Sequence, residues 1–131
     1  MLTTAGKDFV ASALGDSSGA REAAATYIAL TANATAPSAS DTTLTAEIAT
    51  GGGGLIRAVA TYAHTGGAST YTLTKTFTAN GSDSLPVTIA KIGVLNASSG
   101  GKMPWESLLS TTAVLSAVGD ALTCTETITI S

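Results

Sequence analysis

With 131 residues, the chain suits one domain that buries a single modest core without disulfide or metal support. Charged residues make up only 11%, the balance is −3, and the six basic residues scatter from Lys7 to Lys102, which excludes the clustered positive charge that nucleic-acid binding needs. An apolar fraction of 44% excludes a disordered chain, and no window approaches the length of a membrane span.

The start MLTTAGKDFV has no long apolar run, so no signal peptide is read and the chain is expected to mature in a cytoplasm. Thr4 as N-cap, Phe9, Val10, Ala13 and Leu14 at helical spacing, and Gly15 as a stop predict a short helix over residues 5–14. DSSGAREAAA then reads as a loop, so that residues 1–25 form an N-terminal arm and helix. TYIALTA, residues 26–32, has the β-branched and aromatic content of a first strand. Residues 31–54 form a long connection, where Ser40 or Asp41 either caps a brief helix through Leu44, Glu47 and Ile48 or precedes an irregular loop. The glycine run 51–54 that ends it cannot hold a regular element cheaply.

Beyond this point the pattern is that of a β-protein. LIRAVATYA, residues 55–63, is a strand, HTGGAS a hairpin-like turn, and TYTLTKTFTA, residues 70–79, a second strand closed by the turn pair Asn80-Gly81. In VTIAKIGVL the apolar phase slips by one residue between Ile89 and Ile92, which is what a β-bulge produces. NASSGGK is a further turn, MPWESLL is ambiguous, and the last segment supplies two strands around Gly119-Asp120. Short strands at this spacing with glycine-rich turns predict a mainly β domain: an antiparallel β-sandwich or barrel with a short N-terminal helix.

Two strands share an unusual composition. In TYTLTKTFTA, Tyr71, Leu73, Phe77 and Ala79 lie on one face with Lys75 among them, while threonines including Thr72, Thr74 and Thr76 cover the other. LTCTETITIS repeats this, with Leu122, Cys124, Ile128 and Ile130 interrupted by Glu126, and threonines including Thr125 and Thr127 opposite. A charge in a β-core needs a partner, so Lys75 and Glu126 either pair across adjacent strands or lie near a sheet edge with their heads in water.

Catalytic patterns fail on inspection. His64 is the single histidine and sits in a turn-like stretch, so no histidine-based metal cluster is available and any Ser-His-Asp triad would depend on that one residue. GGKM at Gly100 to Met103 lacks the upstream glycine of a phosphate loop, since residue 96 is Asn, and Met103 replaces the magnesium-binding hydroxyl. Cys124 is alone and reads as a small buried apolar residue. No catalytic, cofactor or metal site is therefore expected. Trp105, between Pro104 and Glu106, either stacks on a sugar or plugs one end of the core.

LTTAGKDFVASAL, IAKIGVLNASSGGKM and SAVGDALTCTETITIS together resemble a group of small bacteriophage virion structural proteins: an LTTAG start before a helix, a strand ending in IG before a GG turn, and GD before a terminus in TIS. That resemblance implies a non-enzymatic protein of the virion, made in the bacterial cytoplasm. Its expected role is capsid decoration or cement: binding the major capsid protein on the outside of the head and stabilising the shell, as a homotrimer, with no nucleic-acid or membrane partner. The alternative within the group is a tail- or fibre-associated protein, with host-glycan binding through Trp105, Tyr62, Tyr71 and the loop around His64. An arginine that often follows the glycine turn in this group has no counterpart in MPWES, so no role is carried over for it. Expected contact residues are Leu2, Thr3, Thr4 and Lys7 in the arm, the threonines Thr72, Thr74, Thr76, Thr125 and Thr127, and Trp105. The arm and the connection 31–50 are the segments least constrained by strand pairing and so the first expected to meet a partner.

Overall fold

Period-two alternation decides the architecture, because each strand can bury only one of its faces. The computed structural model describes residues 1–19 and 21–131. In chain order it contains α1 (Thr4–Gly15), β1 (Tyr27–Thr31), β2 (Ala58–Val59), β3 (Thr61–His64), β4 (Thr70–Thr78), β5 (Val87–Leu95), β6 (Trp105–Leu115) and β7 (Ala121–Thr129). One antiparallel sheet has the order β2-β1-β5-β6 and the other β3-β4-β7. The mainly β class is thus as expected, in its open, sandwich-like form rather than a barrel.

Between the sheets, Ile28 and Leu30 of β1, Ile89, Ile92 and Val94 of β5, and Leu115 of β6 meet Leu73 and Phe77 of β4 and Cys124 and Ile128 of β7. Ile89 and Ile92 both reach this core because the β5–β6 register shifts between Ile89 and Lys91, the bulge that the phase slip foretold. The stretch 55–63 is not one strand. It divides at buried Ala60, whose N–H bonds the Thr26 carbonyl at 2.7 Å, and the chain passes from the first sheet to the second there. Likewise the last two strands flank Gly119-Asp120 but belong to different sheets.

Helix α1 begins at Thr4, with Thr3 rather than Thr4 as its N-cap: Gly6 N–H donates to Thr3 Oγ1 at 3.0 Å. The segment before it is no loose arm. Leu2 forms a β-bridge with Trp105, Thr3 N–H donates to the Pro104 carbonyl at 2.9 Å, and the Thr3 hydroxyl donates to the Met103 carbonyl at 2.6 Å.

The long connection is likewise built in, and no helix forms in it. It lies over the outer face of the four-stranded sheet, where Leu44 and Met103 pack on Ala29 and Leu95 as a second apolar cluster. Thr31 ties it down by donating to the carbonyls of Thr45 and Ala46, and Glu47 bridges back to Thr31. Arg57 joins it to the β5–β6 connection: its guanidinium donates to both Glu47 oxygens, at 2.8 and 2.5 Å, and to the carbonyls of Ala97 and Gly100 at 3.0 and 2.7 Å.

Candidate functional site

The three-stranded sheet leaves one face uncovered. Its nine-residue β4–β7 register sets Thr70 opposite Thr129, Thr72 opposite Thr127, Thr74 opposite Thr125 and Thr76 opposite Thr123, and Thr61 of β3 faces Thr74 from the other side. Facing threonines stand about 5 Å apart across strands and about 7 Å apart along them. Two of the pairs are bonded through their hydroxyls, Thr76 with Thr123 at 2.7 Å and Thr74 with Thr125 at 3.3 Å. Thr76, Thr123, Thr125 and Thr127 are exposed, and Thr72 and Thr74 half-buried. With Ala63 and Ala121 in the remaining positions, the face carries no charge. Chemically it offers methyls for flat packing and hydroxyls that both donate and accept.

The other expected contact residues fare differently. Thr4 and Lys7 are exposed on α1, but Thr3 is fully buried and occupied with capping, and Leu2 is half-buried in its bridge to Trp105. The expectation that the arm and the connection are the segments least constrained by strand pairing is corrected: backbone bonding to β6 and to β1 holds both. Trp105 is half-buried and meets Phe9 edge-on at 6.2 Å, which is the core-plug reading.

Lys75 and Glu126 share the inward face as expected, but they form no ion pair; those among the described residues are Arg57–Glu47, Lys91–Glu106 and Lys102–Glu22. The register shows why. Lys75 lies opposite Cys124, while Glu126 lies opposite Leu73 and accepts instead from the Ser107 hydroxyl of β6 at 2.7 Å. Lys75 also stands just beyond the last β3–β4 pair, Thr61 with Thr74, so its strand is an edge at that level and its head reaches water. Burial, with a smaller effect from Glu126, pushes the Cys124 thiol up to about 11, an inert buried residue as read.

Tyr62 and Tyr71 lie side by side with ring centroids 5.5 Å apart, bordering a cleft with Phe9 and Ala13 of α1, and Nδ1 of the exposed His64 donates to the Thr70 carbonyl nearby at 2.9 Å. Trp105 is not part of this cleft. Among the described residues, no three His, Cys, Asp or Glu side chains gather as metal ligands, and no helix is long and apolar enough to cross a membrane. The chain matches no protein-family model and no curated protein.

Proposed function

We propose that the protein is a non-enzymatic structural component of a bacteriophage virion, a decoration protein that seats on the outside of the head as a homotrimer and clamps neighbouring copies of the major capsid protein. The observation that carries this reading is the uncharged threonine face. A monomer normally keeps roughly a quarter or more of its surface as Lys, Arg, Asp and Glu for solubility. A two-strand wall of threonine without one charge instead suits burial against another protein, where methyls pack and hydroxyls find partners. Of the expected contact residues, this reading puts the seam at Thr72, Thr74, Thr76, Thr125 and Thr127.

Quantitative mass spectrometry of particles encoded by the same genome, separated into heads and tails, tests it. Stoichiometric recovery with heads is expected; absence from both fractions overturns the virion reading. Recovery with tails alone would favour the second reading, a tail- or fibre-associated protein, for which exposed Tyr62 beside half-buried Tyr71 is the supporting feature. In that case glycan binding should be lost on Tyr62→Ala and kept on Trp105→Phe.

A further inference from the structure

Lys91 and Glu106 lie on adjacent strands of the four-stranded sheet, on the outer face that the long connection covers. Their register partners are Leu108 and Gly93, which makes the two side chains diagonal neighbours. Nζ of Lys91 stands 2.5 Å from Oε1 of Glu106, and the side chains are only 2% and 1% exposed. Yet neither Glu106 oxygen has a hydrogen-bond partner, so the short contact is misaligned for a hydrogen bond. Beyond burial, the Asp41 carboxyl of the covering connection adds to the unfavourable field and pushes the Glu106 carboxyl further up.

As a plain ion pair this cluster is badly off. Two desolvated charges, misaligned and with a second carboxylate beside them, lose more hydration than their attraction returns. The geometry points to a covalent outcome: an isopeptide bond between Nζ of Lys91 and Cδ of Glu106. Cδ is one bond from the contacted oxygen, which holds the amine in the range of near attack.

Burial pushes the Glu106 carboxyl above its usual range, against the opposing pull of Lys91. In the step, the Glu106 carboxylate takes one proton from the Lys91 ammonium across their 2.5 Å contact. The freed amine pair attacks Cδ of the resulting neutral acid, and the tetrahedral adduct expels its hydroxyl. The second amine proton leaves with that hydroxyl as water. Ammonium and carboxylate become amide and water, with no oxidant or activating cofactor required. In water the reverse reaction dominates, but a site that excludes water and penalises charge favours the neutral amide.

Nothing in this depends on the virion reading. Intact mass of the denatured, purified protein tests it directly. We expect the wild type to be lighter than its sequence mass by one water, and trypsin to leave residues 76–102 joined to residues 103–131 because Lys91 is blocked. Lys91→Arg should restore the full mass and the separate peptides. A folded wild type of full sequence mass after prolonged incubation, or a water loss that fragmentation places elsewhere, would overturn the proposal whether or not any variant folds.

Discussion

Asp83 shows how one side chain organises two loops. Burial pushes its carboxyl up, but the N–H groups of Asn80, Gly54 and Leu55 together outweigh that and hold it below the ordinary value of 3.8. A carboxylate depressed in the folded state stabilises fully above its unfolded value and loses that contribution as pH falls through the folded one. Asp83→Asn should therefore cost about 2 kcal/mol at neutral pH, read from urea denaturation, with the gap to wild type closing as the pH drops below 3.8. Thr3 is a second such residue, because its hydroxyl both caps α1 and reaches the Met103 carbonyl. Thr3→Ala should cost about 1–2 kcal/mol and Thr3→Ser recover most of it, as measured by thermal unfolding. That Thr3 rather than Thr4 is the cap was not legible in TTAG, where either threonine precedes a plausible first turn; the Pro104 carbonyl decided it by bonding Thr3 N–H.

At the scale of elements, α1 is docked closely on the segment that enters β6. A Cβ on Gly6 would lie 2.3 Å from the Pro104 carbonyl oxygen and 2.6 Å from Leu2 Cδ1, so Gly6→Ala forces the helix off its seat. A loss of about 3 kcal/mol is expected, with near-UV changes at Trp105 as the local signature. The covering connection has a different weak point. Lysine in place of Arg57 cannot hold both Glu47 oxygens and two carbonyls with a planar fork, so Arg57→Lys should cost about 2 kcal/mol. Hydrogen exchange should quicken in residues 44–57 and 96–102 while β4 and β7 keep their protection. Strand positions for β4, β5 and β7 were largely legible from alternation, and that of β1 from its β-branched and aromatic content. The divided strand at Ala60 was not, because the same β-compatible run serves two sheets and the switch depends on which neighbours wait on each side.

Over the whole molecule, the two sheets have contrasting outer faces: one roofed by the chain's own connection and the other a bare threonine wall. On the proposed reading the bare wall is where copies or capsid subunits meet. Thr125→Lys places one charge at its centre while leaving the core untouched, so unfolding should shift by no more than about 0.5 kcal/mol. Sedimentation and head-binding assays should nonetheless show the trimer and the attachment lost; an unchanged assembly would mean the seam lies elsewhere.

Alternation alone made the threonine faces of the two strands legible, since it is a property of residues two apart and needs nothing distant to be read, whereas their pairing in register was settled by packing. The sequence also announced that a charge inside an apolar strand needs an explanation, yet that reasoning went to Lys75 and Glu126, whose stripes match, rather than to Lys91 and Glu106. Lys91 sits in IAKIGVL, where the charge amid continuous apolar residues was itself the available signal, while Glu106 lay in a segment whose strand character was ambiguous. Only the tertiary structure could join them. The bulge turns Lys91 to the outer face, the β5–β6 register brings Glu106 beside it, and a connection from far earlier in the chain lies over that face and excludes water. Each of those is a long-range fact of packing, and burial, which sets the chemistry of a carboxyl and an amine, is decided by what covers them.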